Sequence, residues 1–213
     1  MDAHTLDNPA PNEPAPNEPA TIEPGSRAKM LKQATHDIHD GLDKDIMSRD
    51  PFGSIGNYAR FLEVQYRFHT VMDGIYRMPA LDPLLPDLGG RRRLHLVAQD
   101  LADIGMPLPE FTQDADEAGP GDDMSAAMGW LYVAEGSNLG AAFLLKAAAK
   151  LGLSETHGAR HLAGHPEGRG LHWRTFTAAL DAIPLPPEDE ARVIAHAKQA
   201  FALVRRYVGE AYA

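Results

Sequence analysis

Apolar residues recur at steps of three and four along most of the chain, which is the pattern of amphipathic α-helices. Ser26 is a suitable N-cap for the first helix, which we expect to end near Met47. No segment alternates convincingly as a strand. We therefore expect an all-α fold, a single-domain bundle of about six helices. The other helices are predicted at about 54–76, 90–104, 129–150, 171–182 and 188–213.

The stretch at 129–150 is the least polar of these helices, so we expect it to lie at the centre of the bundle. It carries Gly136 and Gly140, and each interior glycine costs a helix roughly 1 kcal/mol relative to alanine. Four-residue spacing stacks the two glycines on one face. Either a neighbouring helix packs closely there or a flat ligand lies against the backbone, and the stretch alone favours neither.

The helical pattern covers one domain, which follows an N-terminal tail. Residues 1–25 contain the pentapeptide Ala-Pro-Asn-Glu-Pro twice in succession and few large apolar groups, which predicts a disordered tail. Residues 26–213 form the predicted helical domain. Within it, the acidic stretch at 110–123 predicts a surface loop, and the glycine- and histidine-rich stretch at 153–170 predicts a long ordered loop.

Composition narrows the class of protein. The hydrophobic share of 44% is ordinary for a globular protein, no apolar run reaches the roughly 18 residues of a membrane span, and no secretory signal opens the chain. We expect a cytoplasmic protein that binds no membrane. A net charge of −10 argues against nucleic-acid binding, and we interpret the basic run at 91–93 as a solvated helix start. The absence of cysteine excludes disulfides, iron–sulfur clusters and thiol nucleophiles.

One face of the first helix carries a candidate metal ligand. His39 shares this face with Thr35 and Asp43, because residues three and four apart are neighbours on a helix. Asp43 is placed to accept the proton of the second imidazole nitrogen, as carboxylates do beside metal-bound histidines. The arrangement suits an axial iron ligand, although a surface histidine beside a carboxylate shows the same pattern.

Other chemistries are less well supported by the residues. No Glu-x-x-His motif is present for a dinuclear carboxylate site. His36 and His39 could chelate a lone metal, whereas His161 and His165 lie in a stretch too rich in glycine to share a helical face. The segment 136–140 lacks the Gly-x-Ser-x-Gly spacing of a nucleophile elbow, which disfavours a hydrolase.

Two motifs together resemble a known family. Residues 34–42, Ala-Thr-x-x-x-His-x-x-Leu, and residues 132–140, Tyr-Val-Ala-Glu-Gly-Ser-x-Leu-Gly, resemble the proximal and distal helices of haem oxygenases. The likeness is closest to the bacterial, biliverdin-producing branch. It extends through residues 165–168 and 191–201, so it covers the chain from about Arg27 to the C-terminus.

The resemblance implies that haem, which is both cofactor and substrate, lies between these two helices. His39 would bind the iron, while Gly136, Ser137 and Gly140 would leave space for dioxygen and support its protonation. The expected products are biliverdin, carbon monoxide and ferrous iron. Mammalian-type members carry aspartate where this chain has Ser137, so ordered water held by the backbone and the serine would replace a carboxylate-anchored proton relay.

Haem carries two propionates, for which an acidic protein must supply local cations. Lys32 matches a basic position of the family, and Phe201 matches a position that lines the pocket. The remaining cofactor-binding candidates are Thr35, Asp43, Tyr132, Lys146 and Arg174.

The source of electrons lies outside the chain, which has no Gly-x-Gly-x-x-Gly nucleotide loop. The resemblance implies an external ferredoxin- or flavin-type reductase, and we expect the oxygenase to be a monomer. Two alternatives stay open: a haem-binding storage or sensing module that leaves the ring intact, and a helical bundle that binds no haem. The spacing of residues does not determine which meso carbon is cleaved.

Overall fold

The computed structural model describes residues 25–110 and 119–213. Within these ranges the chain forms six α-helices and two short 3-10 turns, with no strand, which confirms the all-α prediction. The predicted N-terminal tail and most of the predicted loop at 110–123 lie outside the described residues. The helices are α1 (Arg27–Ser48), α2 (Ile55–Ile75), α3 (Leu94–Asp103), α4 (Met124–Ala149), α5 (Arg169–Ala182) and α6 (Pro187–Ala211).

Side-chain caps fix where α1 and α4 begin. The Ser26 hydroxyl accepts a hydrogen bond from the Lys29 backbone N–H at 3.2 Å, which confirms the predicted cap of α1. The Asp123 carboxylate accepts from the Ala126 N–H at 3.1 Å, so α4 begins five residues before the predicted start at Gly129. Both contacts involve backbone N–H groups of the first helical turn, which have no carbonyl four residues earlier within the helix.

The third predicted helix is shorter than expected because the arginine run does not belong to it. Gly89–Arg91 forms a 3-10 turn, Arg92 is extended with φ −63° and ψ 134°, and α3 begins only at Leu94. Arg91 is 3% exposed. The interpretation of residues 91–93 as a solvated helix start is therefore wrong, since the first guanidinium points into the core.

The glycine-bearing helix α4 lies at the centre of the bundle, as predicted, and packs against α1, α2, α5 and α6. Its first half is buried without a break from Ser125 to Glu135. The second half emerges from the core, and its side chains of Leu139 and Phe143 are 44% and 78% exposed. A helix that is apolar on all sides over its first half needs neighbours on all sides, which explains this central position.

Gly129 allows the close crossing of α4 and α6. A Cβ atom at Gly129 would lie 2.3 Å from the Val193 carbonyl oxygen and 2.8 Å from the Ala197 nitrogen, distances that real Cβ atoms do not reach. Gly136 and Gly140 differ. Among residues 25–110 and 119–213, a Cβ at Gly136 would meet only the Trp173 ring at 3.7 Å, an ordinary contact, and one at Gly140 would meet nothing within 4 Å. Close helix packing therefore gives no reason for glycine at either of these two positions.

Replacement of Gly129 tests this crossing. We expect Gly129→Ala to lower the free energy of unfolding by about 1–3 kcal/mol, because the added methyl group forces α6 to move. Gly41→Ala within α1 is the matched control, since a Cβ there comes no closer than 4.0 Å to another side chain. The control should be neutral or stabilising by up to about 1 kcal/mol, as an alanine in a helix is. Equal urea midpoints for the two variants would contradict the close crossing.

Candidate active site

His39 projects from α1 with 52% of its side chain exposed. Its Nδ1 atom is 3.4 Å from a carboxylate oxygen of Asp43, one turn along the helix, and 3.7 Å from one of Asp40. The edge of the ring meets Phe201 of α6 with centroids 5.9 Å apart and planes at 79°. Because Nδ1 is the nitrogen closest to both carboxylates, Nε2 is the better placed of the two to bind a metal.

Two further candidates on α1 lie in different environments. Thr35 is 3% exposed and its hydroxyl donates to the Leu31 carbonyl at 2.7 Å, so its proton is already used within the helix. Lys32 is exposed, and no acidic group of the described residues lies within 4 Å of its amine. The lysine charge is therefore available to an external anion, whereas Thr35 contributes mainly to the packing beneath His39.

The distal side is built on α4 and α5. The Tyr132 ring is 5.5 Å from the Trp173 ring, which in turn lies against Gly136, and burial raises the pKa of Tyr132 to about 12. Ser137 is exposed and donates its hydroxyl proton to the Ala134 carbonyl at 2.7 Å. Its oxygen can still accept a hydrogen bond from water.

The remaining predicted cations, Lys146 of α4 and Arg174 of α5, are exposed. Among the described residues neither forms an ion pair, and no contact joins them to the residues around His39. The structure thus brings together His39, Asp43 and Phe201 on one side, and leaves these two cations at the surface.

A buried ion pair precedes the two glycines on α4. The two carboxylate oxygens of Glu135 accept hydrogen bonds from Nη1 of Arg91 and from the hydroxyl of Tyr76, each at 2.7 Å. The Arg91 and Glu135 side chains are only 1% and 2% exposed. Burial, and then the charge of Glu135, hold the pKa of Tyr76 well above its usual value, so the phenol remains a donor.

A second buried pair holds the ordered loop between α4 and α5. Nδ1 of His161 is 2.7 Å from a carboxylate oxygen of Asp100, and the same carboxylate accepts from the backbone N–H groups of Arg160 and His161. Burial lowers the pKa of His161, so the imidazole is neutral and Nδ1 donates to the carboxylate. His161 and His165 do not converge, because the ring of His165 stacks instead on His172.

Comparison with known proteins identifies the family. The family model described as Heme oxygenase matches residues 26–210. The chain is 43% identical over 175 residues to heme oxygenase PigA of Pseudomonas aeruginosa, a match that covers 82% of this chain and 87% of that protein. The chain belongs to the haem oxygenase family. The resemblance inferred from the two helical motifs is confirmed, and with it the assignment as a biliverdin-producing enzyme that uses haem.

Solved haem oxygenase structures show the same fold. The NO- and CO-bound heme oxygenase of Neisseria meningitidis superposes with a TM-score of 0.83 at 45% identity, over 88% of this chain and 92% of that one. Heme oxygenase-1 of the cyanobacterium Synechocystis, in complex with heme, gives 0.68 at 16% identity over 87% and 91% of the two chains, which concerns the fold alone. None of the described helices is both long and apolar enough to cross a membrane.

The side chains of this haem oxygenase fit a porphyrin. The face of α4 at Gly140 is open, and Leu139 and Phe143 beside it expose apolar surface that a bound macrocycle would cover. On α1, His39 provides an imidazole whose Nδ1 is oriented by Asp43. One imidazole on α1, together with apolar surface exposed on α4, suits haem iron better than a hydrated ion.

The Arg91–Glu135 pair was not predicted from the sequence. The sequence does contain a signal for it: Glu135 lies in the middle of the least polar helix, and a buried carboxylate requires a partner of opposite charge. The partner comes from the basic run at 91–93, but a sequence of three arginines does not show whether any of them is buried. The sequence therefore indicates the need for a partner without identifying it.

Loss of the Glu135 charge tests the importance of this pair. We expect Glu135→Leu to lower the free energy of unfolding by about 3–5 kcal/mol, since it leaves the Arg91 guanidinium buried without a counter-charge. Asp45→Asn is the control: Asp45 pairs with Arg205 at 2.7 Å at the surface, and its loss should cost under about 1 kcal/mol. Losses of similar size in urea denaturation would show that the buried pair does not anchor α4.

Proposed function

We propose that this haem oxygenase cleaves its substrate in the space between α1 and α4, with His39 as the iron ligand and Gly136 and Gly140 lining the opposite side. The open backbone at Gly140 is the observation that carries the proposal, because none of the described residues occupies the space that a side chain there would fill. The products are biliverdin, carbon monoxide and ferrous iron. Bound haem supplies the iron at which dioxygen is reduced and the ring carbon that is oxidised.

On the proximal side, the chain holds one imidazole in a fixed orientation. A carboxylate oxygen of Asp43 lies 3.4 Å from Nδ1 of His39, which favours the tautomer with the proton on Nδ1 and a free lone pair on Nε2. The edge-on contact with Phe201 limits rotation of the ring. These two contacts support His39 over His36, whose Nε2 atom faces Asp40 at 3.7 Å.

On the distal side, the chain supplies space and a route for protons. Gly136 and Gly140 allow the substrate to approach the helix backbone, and a bulky distal base is absent from both positions. Ser137 accepts a hydrogen bond from ordered water, since its own proton is donated to Ala134. That water would then supply protons to the reacting dioxygen. In mammalian-type members a carboxylate anchors this proton supply.

Charge and composition support the remaining roles. Lys32 lies two helical turns before His39 and carries a charge that no described acidic group neutralises, which suits a haem propionate. Lys146 and Arg174 are exposed cations on α4 and α5 that could hold the second propionate. Electrons come from an external ferredoxin- or flavin-type reductase. We further propose that the protein is a monomer and that it is cytoplasmic. Its cysteine-free composition supports the cytoplasmic location.

Turnover of haem by the purified protein tests the proposal as a whole. Added haemin should give a Soret band at one equivalent, and reductant with oxygen should convert that band to biliverdin absorption. A stable haem spectrum under the same conditions would identify a non-degrading haem binder instead. A titration without any Soret shift would exclude haem binding altogether.

Substitution of the iron ligand gives a spectroscopic test. We expect His39→Ala to lose the spectrum of five-coordinate, histidine-bound haem, because the variant has no imidazole at that position. His36→Ala is the control, since His36 lies on the same helix with 65% of its side chain exposed and should leave the spectrum unchanged. An unaltered His39→Ala spectrum together with a changed His36→Ala spectrum would assign the ligand to His36.

Replacement of Gly140 by a larger residue tests whether the glycine is needed for substrate binding or for folding. We expect Gly140→Leu to leave the melting temperature of the haem-free protein unchanged or raised, because the site is open and leucine favours a helix. Biliverdin formation should fall at least about tenfold, a barrier increase of about 1.4 kcal/mol. Gly74→Leu, at a helical glycine on α2 that is equally open, should keep full turnover. Unchanged turnover in Gly140→Leu would contradict the proposed distal wall.

A further inference from the structure

The stretch of α4 around its last two glycines has the least support of its own. Interior glycines lower the stability of a helix, and this stretch follows the buried half that ends at Glu135. Leu139 and Phe143 are exposed here and contribute little packing. Even so, α4 continues as one helix to Ala149. A contact from outside the helix is therefore expected to hold this stretch.

Arg169, the first residue of α5, makes such a contact. Its Nη1 atom donates a hydrogen bond to the backbone carbonyl of Asn138 at 2.8 Å. Asn138 lies midway between Gly136 and Gly140. A carbonyl oxygen has two lone pairs, so it can accept from the guanidinium as well as from the N–H group four residues later in the helix. Because the donor is charged, this bond is stronger than one from a neutral group.

The other end of the same guanidinium is tied to the core. Nη2 of Arg169 donates to the backbone carbonyl of Leu162, in the ordered loop that precedes α5. Leu162 is 3% exposed and belongs to an apolar cluster with Phe61 and Leu101. A guanidinium is planar and rigid, so its two donors hold the two carbonyls at a fixed separation. Arg169 thus connects the exposed half of α4 to a buried part of the fold.

The loop is shaped around the Arg169 side chain. A Cβ atom at Gly164 would lie 3.2 Å from Cγ and Nε of Arg169, which is closer than most real Cβ contacts. Gly168 has φ +96°, a conformation that favours glycine. Glycine at the first position leaves room for the arginine, and at the second it lets α5 begin with that residue.

The surroundings of Arg169 do not suggest an ion pair or a ligand as its main role. Burial, and then Arg93, lower the pKa of its guanidinium, whereas Glu155 raises it. No ion pair within 4 Å joins Glu155 to Arg169 in the part of the chain that the structure describes. The cavity beside Arg169 has a volume of about 10 Å³, which admits at most one water molecule. The two carbonyls are therefore the partners that define its position.

The contact falls where it can change the shape of α4. A donor outside a helix draws the carbonyl away from the helix axis, and helices bend where carbonyls tilt outward. Glycine on either side of Asn138 makes such a bend easier. Trp173 lies on the same face of α5 as Arg169, one turn later, and is 3.7 Å from the position of a Cβ at Gly136. Helix α5 therefore contacts this stretch at two successive points.

We propose that Arg169 is a positioning residue for haem cleavage, because its bond to the Asn138 carbonyl fixes the curvature of α4 between Gly136 and Gly140. The curvature determines how closely the backbone of α4 approaches the bound substrate. Arg169 acts through the helix and does not contact the open face at Gly140. This inference rests on the proposed function, since the curvature affects catalysis only if haem lies against these glycines.

Amide hydrogen exchange of the haem-free protein tests the contact without bound substrate. Arg169→Met keeps the apolar stem of the side chain and removes both donors. We expect the amides at 140–143 to exchange at least about tenfold faster in this variant, because the stretch opens more often. The amides at 126–135, in the buried half of α4, should change far less.

Arg92→Met is the matched control for this exchange experiment. Arg92 pairs with Asp73 near the surface, and its loss leaves that carboxylate with Arg77. The control should keep the exchange rates of the parent protein along α4. Unchanged exchange at 140–143 in Arg169→Met would overturn the proposal. An equal acceleration along the whole of α4 would also overturn it, because that result indicates general destabilisation rather than a local contact.

The haem complex supplies the readouts for catalysis. Arg169→Met should bind haemin as tightly as the parent protein but form biliverdin at least about fivefold more slowly, because α4 no longer holds its backbone at the required distance. The infrared band of carbon monoxide bound to the ferrous complex should broaden, since the helix beside the ligand takes more than one position. A parent-like rate and band in Arg169→Met would overturn the proposal. A parent protein that leaves haem intact would instead contradict the proposed function, and with it the role of Arg169 in cleavage.

Discussion

The ion pair between Arg91 and Glu135 holds α4 at the point where the helix leaves the core. Before this point α4 is buried on all sides and crosses α6 closely at Gly129. After it the helix reaches the surface with two glycines and exposed apolar side chains. Because the carboxylate also accepts from Tyr76 at the end of α2, three parts of the fold meet at one buried charge. The direction in which Gly136 and Gly140 face depends on that anchor.

The candidate site itself is far less constrained than the core behind it. His39 is half-exposed, and Leu139 and Phe143 expose apolar surface that contributes nothing to the stability of the haem-free protein. Exposed apolar surface of this kind marks a place where a ligand or partner binds. A macrocycle that covers it gains hydrophobic stabilisation, and by linkage the bound haem stabilises the fold in turn. The buried half of α4 thus positions an exposed apolar surface that a substrate can cover.

The parts of this arrangement that depend on local geometry were predictable. Helix periodicity and the Ser26 cap located α1, and the four-residue spacing placed Asp43 beside His39. The contact of His39 with Phe201 spans much of the chain and was not predicted, since the resemblance to haem oxygenases indicated only that Phe201 lines the pocket.

Features that depend on distant neighbours could not be predicted. Gly129 and Gly140 look alike in the sequence, yet one is required by the backbone of α6 and the other faces open space. The arginine run likewise gave no sign that Arg91 is buried while Arg92 pairs with Asp73 nearer the surface.

We propose that haem lies between α1 and α4, with His39 on one side and the glycines on the other. The crystal structure of the haem complex measures this most directly. We predict a bond from the iron to Nε2 of His39, with the backbone of Gly136 and Gly140 facing the opposite side of the ring. Haem bound through another residue, or lying away from the open face at Gly140, would contradict the account.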